Sequence, residues 1–260
     1  MEFVALGKTN LLVSRTSFGA MSLDCHELEA FGDKADEQAV ALVHQAYNAG
    51  INFFDTSRTT PVSEARLGLA LHGIRQNVIL ATKSAALNSK ELLLDVQKSL
   101  ETLESDWIDL FQVQISSYLP MSESDDGLYK ELCALKKKGV IRHFGIVTES
   151  LLTARSAVEC GLYETIQFPF NMISSGESLG IVEACRKNEV GCIAMQPLNG
   201  GVVNNIPLAF GFLHQFENVV PVWGVHTQEE LQQILYFDSH PPIVDEQFKK
   251  EVDFQRALFN

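Results

Sequence analysis

The sequence predicts an α/β fold, a (β/α)8 TIM barrel with an N-terminal hairpin and an extra C-terminal helix. Three observations lead there. Short runs rich in β-branched and aromatic residues alternate with longer runs of helical periodicity, and that beat recurs eight times. No low-complexity linker divides the chain, so residues 1–260 read as one barrel domain. The turn after the first barrel strand, Phe18-Gly19-Ala20-Met21, is not the Gly-rich phosphate turn that usually opens a doubly wound sheet, the rival architecture.

The elements follow in order. Residues 3–5 and 11–13, with Gly7-Lys8 between them, have hairpin character, and residues 16–20 form the first barrel strand. A helix is expected over 36–48, with Val40, Val43 and Tyr47 on one face and Gly50 just past its end. Strand 51–56, helix 63–71 and strand 77–83 come next. Helix 89–103 opens with Asn88 and carries Glu91 three residues later, the capping-box spacing. Strand 107–114 precedes a helix over 122–138, ended by Gly139. Strands 141–147, 165–170, 191–197 and 219–224 then alternate with helices 151–160, 177–188, 207–215 and 227–236. Strands joined by helical crossovers pair in parallel, and eight of them close without exposed edges. Residues 243–258, after Pro241-Pro242, have helical composition and are expected on the outside of the barrel.

Composition narrows the function classes. The chain is 46% hydrophobic and 20% charged, an ordinary globular balance. Its formal net charge of −13 disfavours nucleic acid and anionic membranes, while a small ligand or a protein partner is easier to accommodate. Lys136-Lys137-Lys138 reads as a solvated helix end rather than a basic patch. No apolar run is long enough to span a bilayer, and the first residues lack an export-signal pattern. The five cysteines are an odd number without C-x-x-C pairs, so neither a disulfide framework nor a metal site is expected, and the location reads as cytoplasmic. His44 and His72 have no metal-spaced partner. Cys185 and Cys192 read as buried apolar residues, and Trp223 as a pocket or core residue.

Several segments carry a resemblance. They are Leu6-Gly7-Lys8-Thr9-Asn10-Leu11-Leu12-Val13-Ser14, Gly50-Ile51-Asn52-Phe53-Phe54-Asp55-Thr56, Ala81-Thr82-Lys83, Asp109-Leu110-Phe111-Gln112, Gln167-Phe168-Pro169-Phe170-Asn171 and Pro197-Leu198-Asn199-Gly200-Gly201. Together with residues 224–235 they cover nearly the whole chain and resemble the aldo-keto reductase family. The later blocks are most similar to the branch with a cysteine-rich iron–sulfur extension after the barrel, and no such cysteines stand here.

The resemblance implies carbonyl reduction or alcohol oxidation with a nicotinamide cofactor at the C-terminal mouth. It also implies a catalytic set of aspartate, tyrosine, lysine and histidine. Asp55 and Lys83 match two of these, whereas Thr60 stands for the tyrosine and Gln114 for the histidine. A tyrosine's acidity can be tuned towards neutrality by a nearby ammonium, and a threonine's cannot, so general acid catalysis worth about 10²–10⁴-fold is compromised. Gln114 retains a donor for positioning a carbonyl. Tyr118 is a candidate replacement acid, with a rim-covering loop residue as the plainer reading.

For the cofactor, the resemblance assigns Gln167, Met195, the turn Pro197, Leu198, Asn199, Gly200 and Gly201, and then Gly224 and His226. Asn171 is retained, but Val147-Thr148 replaces a Ser-Asn pair, and Ile234 an adenine-binding asparagine. Glu230 stands where the family has a cation for a 2′-phosphate, which favours NAD over NADP if either binds. Glu230 also completes a capping box with Thr227. Three readings follow: a slowed oxidoreductase, a non-redox enzyme using Asp55 and Lys83, and a non-catalytic protein that binds a ligand or partner.

Overall fold

The computed structural model describes residues 1–259. Strands β1 (Phe3–Ala5) and β2 (Leu12–Ser14) pair antiparallel. Eight parallel strands then close in chain order: β3 (Ser17–Gly19), β4 (Phe53–Asp55), β5 (Ile79–Ser84), β6 (Ile108–Gln114), β7 (Ile141–Val147), β8 (Thr165–Pro169), β9 (Gly191–Met195) and β10 (Val219–Gly224). β10 pairs with both β9 and β3, which shuts the barrel as the eight-beat pattern predicts.

The surrounding helices are α1 (His26–Glu29), α2 (Ala35–Asn48), α3 (Pro61–Leu71), α4 (Ser89–Thr102), α5 (Leu128–Lys137), α6 (Leu151–Glu159), α7 (Gly176–Lys187), α8 (Ile206–His214), α9 (Gln228–Ser239) and α10 (Glu246–Phe259). The last packs on α8: its Val252 is buried and its Arg256 guanidinium lies over the Phe212 ring at 5.6 Å.

The hairpin closes the barrel floor. Leu6 and Val13 pack against the inward side chains Phe53, Ala81, Leu110, Ile193, Val220 and Val222. Every second strand residue faces inward, so one apolar residue per turn of the pleat builds this layer. Gly7 makes the approach feasible. It has φ +54, and a Cβ there would overlap the backbone of Glu189 and Gly191, while Lys8 N donates to Glu189 O at 2.7 Å.

Two sequence expectations need correction. The helix expected over 122–138 begins only at Leu128, after Gly127 at φ 70. Ser122-Glu123-Ser124-Asp125-Asp126 offers no apolar face, and its polar side chains bond nearby backbone instead. Ser124 Oγ accepts from Met121 N at 2.7 Å, and Asp126 Oδ1 accepts from Leu128 N at 2.7 Å. On α2 the expected face holds: Val43 is buried and Val40 and Tyr47 pack half-buried against the core, beside Ala39, Leu42 and Ala46.

The capping boxes, finally, close one residue earlier than the motif implies. Asn88 accepts from Lys90 N and Glu91 N, but Glu91 Oε2 reaches Leu87 N at 2.8 Å. Likewise Thr227 Oγ1 accepts from Glu230 N, and Glu230 Oε2 reaches His226 N at 2.7 Å.

The segment between β3 and α2 carries α1, which the sequence pattern did not reveal. Arg66 of α3 pins it, donating to Leu23 O at 2.6 Å, Glu29 Oε1 at 2.6 Å and Asp36 Oδ1 at 2.8 Å.

Candidate active site at the barrel mouth

Above the apolar floor the inward positions turn polar. Phe53 is followed two residues later by Asp55, Ala81 by Lys83 and Leu110 by Gln112, so one step along the pleat carries each strand from floor to mouth. Lys83 Nζ donates to Asp55 Oδ2 and to Thr56 O, both at 2.6 Å, and the two charged side chains are 5% and 3% exposed. Gln167 Nε2 from β8 donates to the same Asp55 Oδ2 at 3.1 Å. Gln112 Nε2 donates to Gln167 Oε1 at 2.5 Å, and Thr165 Oγ1 to Gln112 Oε1 at 3.3 Å. Asp55 Oδ1 is buried without a hydrogen-bond partner. A buried ion pair needs such added bonds to offset its desolvation, and here Gln167 of β8 supplies one, itself held by Gln112 of β6.

Thr60 stands at the N-cap of α3, ahead of Pro61. Its hydroxyl lies 3.2 Å from Ser57 O and 2.8 Å from Ser63 Oγ, which in turn lies 2.9 Å from Thr56 Oγ1. The hydroxyls of this loop therefore bond one another. Gln114 is exposed at the C-terminal end of β6. Tyr118 is 53% exposed, and its hydroxyl donates to Asp126 Oδ2 at 2.7 Å. A Ser124 hydroxyl bond favours its phenolate, but the bond to Asp126 and the charges of Asp126 and Asp125 outweigh it and hold the phenol above its ordinary range. That makes it a weaker acid, in keeping with the plainer reading of this residue.

Glu64 was not anticipated. It is fully buried, accepting from Thr82 Oγ1 and Ser99 Oγ at 2.8 Å each, with Arg58 Nη1 2.5 Å from its other oxygen. Burial raises its carboxyl above the ordinary value, against the pull of the Ser99 and Thr82 bonds and the Arg58 charge. It ties β5 to α3 and α4 beneath the loop that carries Thr60. Its signal was one acidic residue on the otherwise apolar face of helix 63–71.

On the opposite side, Met195 ends β9 half-buried, and Pro197 and Leu198 lead into a 3-10 turn over Asn199–Gly201. Gln196, Asn199, Gly200 and Gly201 all have positive φ. The N–H groups of Asn199 and Gly201 bond back to Gln196 O and Leu198 O. Nothing lies within 4 Å of where a Cβ would stand on Gly200 or Gly201, so the turn presents open backbone. Asn171 braces it from below, donating to Gln196 O at 3.0 Å.

Val147 and Thr148 are buried, and Thr148 Oγ1 accepts from Ser150 N. Gly224 ends β10, and beyond it the Glu230 carboxylate sits over the start of α9, bonded to His226 N and 3.2 Å from His226 Nδ1. Ile234 is buried. Asp55, Lys83 and Gln167 are thus in direct contact. Thr60 does not touch them but connects through the Ser63–Thr56 hydroxyls and through Ser57, and Gln114, Met195, the 197–201 turn, Gly224 and His226 stand on other strand ends around the same mouth.

Among the described residues no helix is long and apolar enough to cross a membrane, and no group of three or more His, Cys, Asp or Glu is placed to hold a metal. All five cysteines are free thiols. The family model for the Aldo/keto reductase family matches residues 15–208. The chain belongs to the aldo/keto reductase family.

An L-galactose dehydrogenase from Arabidopsis thaliana is 32% identical over 157 residues, covering 56% of this chain and 48% of that protein, so the match spans about half of its length. The holo form of the aldo-keto reductase AKR11C1 from Bacillus halodurans superposes with a TM-score of 0.81 at 20% identity, covering 98% of this chain and 96% of that one. A Pseudomonas aeruginosa protein assigned to the aldo-keto reductases gives 0.79 at 23% identity, covering 92% and 94%. At these identities the structural matches speak for the fold. The family's homologues are oxidoreductases that use NAD(P)H on small-molecule carbonyl substrates.

Proposed function

We propose that this chain is a cytoplasmic nicotinamide-dependent oxidoreductase for a small carbonyl or alcohol, with turnover reduced by the Thr60 and Gln114 replacements. The observation that carries the reading is the buried Lys83–Asp55–Gln167 contact at the mouth. A charged pair this well desolvated and braced is an electrostatic device, worth more to a charge developing in the mouth than the same groups in water.

The residues suit a dinucleotide at its nicotinamide end. Gln167 offers an amide, Met195 an apolar wall, and Gly200-Gly201 open backbone that a phosphate can approach. The adenosine end is less favourable, because the Glu230 carboxylate already occupies the N-terminus of α9. That placement disfavours a 2′-phosphate, so NAD is preferred over NADP. A bound nicotinamide supplies or takes up hydride.

The chain's own residues do the rest. Lys83 has two N–H groups on Asp55 and Thr56 and keeps a third for a carbonyl oxygen. Its charge stabilises that oxygen as it becomes an alkoxide, and Gln114, exposed at the end of the neighbouring strand β6, is the second donor. No phenol stands beside Lys83, and the Thr60 hydroxyl is bonded within its own loop, so the proton comes from water. The Arabidopsis relative is named a dehydrogenase, which supports assaying alcohol oxidation first.

A non-catalytic, ligand- or partner-binding role is the second reading, favoured by Glu230 capping the expected phosphate site. A non-redox role for Lys83 as a free amine is opposed by its two short contacts.

Calorimetric titration with NADH and NADPH tests the proposal. Micromolar binding, stronger for NADH, is expected. The double variant Thr60→Tyr with Gln114→His is then expected to raise kcat/KM on a carbonyl panel by about 10² or more. Absence of binding at millimolar cofactor overturns the oxidoreductase reading in favour of the second.

A further inference from the structure

The polar contacts inside the barrel have a direction. Asp55, paired with Lys83, is a carboxylate and can only accept. Gln167 must therefore turn its NH2 towards Asp55 Oδ2, which leaves its carbonyl facing Gln112. Gln112 must in turn present its own NH2 to that carbonyl, at 2.5 Å, and its carbonyl to Thr165. Thr165, at the far end, must donate, and its Oγ1 stands 3.3 Å from Gln112 Oε1. Each amide orientation follows from the one before it, starting from a charge. Gln112 and Thr165 are fully buried, so neither finds a partner in solvent.

The surrounding backbone admits the far end by omitting a side chain. A Cβ on Gly145 of β7 would overlap Thr165 Oγ1, and Gly145 has an ordinary negative φ, so space rather than turn geometry calls for glycine there.

We propose that Gln112 and Thr165 are positioning residues, a directional relay that fixes which end of the Gln167 amide faces Asp55 and therefore which hydrogens it offers to the mouth. With one Gln167 N–H on Asp55, the second is the group left for a ligand carbonyl, such as that of a carboxamide. Gln167 thus meets its ligand as a donor, and Gln112 keeps it from flipping. The role assigned to Gln167 towards a cofactor rests on the proposed function, but the relay itself exists without one.

The test follows the side-chain amides by NMR in the ligand-free protein. In the parent protein the Gln112 and Gln167 NH2 hydrogens are expected to exchange slowly with solvent. Gln112→Leu keeps the bulk and removes the polarity. It is expected to speed Gln167 exchange at least about tenfold and to weaken NADH binding about tenfold, the scale of one buried hydrogen bond. Thr165→Val keeps the shape and loses the donor, while Thr165→Ser does the opposite. The relay predicts faster Gln112 exchange in the valine variant and parent-like exchange in the serine variant, whereas a packing role predicts the reverse order.

The proposal is overturned if Gln167 exchange is unchanged in Gln112→Leu, or if the serine variant is perturbed as much as the valine variant. If Gln112→Leu does not fold, the Thr165 pair decides on its own. If the parent protein binds no NADH, the oxidoreductase reading fails while the amide exchange still decides the relay.

Discussion

Two buried aspartates, one at each end of the barrel, are treated differently by their surroundings. Asp109, near the start of β6, is 1% exposed and receives four donors. Arg75 Nη2 and Leu80 N reach one oxygen at 2.8 and 3.0 Å, and Arg142 Nη1 and Trp107 Nε1 reach the other at 2.8 and 3.1 Å. The Arg75 and Arg142 guanidiniums also lie over the Trp107 ring, at 4.4 and 4.6 Å from its centroid. Asp55, at the mouth end of β4, collects both its donors on one oxygen and leaves the other buried and unpaired. A fully satisfied buried charge is a fastening. A half-satisfied one keeps electrostatic capacity for something that arrives later, at the expense of stability.

The contrast can be broken most forcefully at the floor. Asp109→Ala strands Arg75 in a buried setting and is expected to lose about 3–5 kcal/mol in urea unfolding. A loss under 1 kcal/mol would mean the floor cluster is not a fastening. At the mouth, replacing the whole pair with Asp55→Leu and Lys83→Met is expected to leave stability within about 1 kcal/mol of the parent or to raise it, since apolar residues relieve the desolvation of both charges. NADH binding should be abolished in the same protein. A double variant as unstable as Asp109→Ala would erase the distinction between the two ends.

The smallest expected effect is a pH dependence at Glu164, which accepts from His143 Nδ1 at 2.8 Å and Lys136 Nζ at 2.7 Å. Burial pushes its carboxyl up, but the His143 and Lys136 bonds and charges win and hold it below the ordinary 4.5. The folded state thus releases this proton more readily than the unfolded state. Its contribution is fully present above 4.5 and is lost as pH falls through the lowered value. Glu164→Gln is expected to flatten the acid limb of stability against pH, and an unchanged limb would show the pair is screened.

The barrel was legible because its signal is repeated. Eight apolar runs separated by helical periods leave few topologies, and closure abolishes the edges. Asp55 and Lys83 are legible through the family resemblance, which places them at the ends of strands 51–56 and 77–83. The loop before Leu128 was misread because its acidic residues suit the first turn of a helix equally well. Gln112 was passed over although Leu110, Gln112 and Gln114 alternate with Val113 and Phe111, the parity that sets an inward polar stripe. Its partner Thr165 lies on another strand, and no local pattern states which strands meet across a barrel interior. The bonding of Glu230 to His226 rather than Thr227 depends on side-chain reach, which spacing alone leaves open.

The floor hairpin has a consequence for the order of assembly. Its residues are made before those of the barrel strands, yet its glycine corner rests on Glu189 and Gly191, which are made much later. Leu6 and Val13 also need Val220 and Val222 of the last strand to complete their layer. The plug therefore stays unseated through most of synthesis, and its docking coincides with ring closure instead of templating it. Such dependence on distant contacts makes for slow folding. During that interval the apolar faces of Leu6 and Val13 are exposed, the period in which a nascent chain depends most on chaperones.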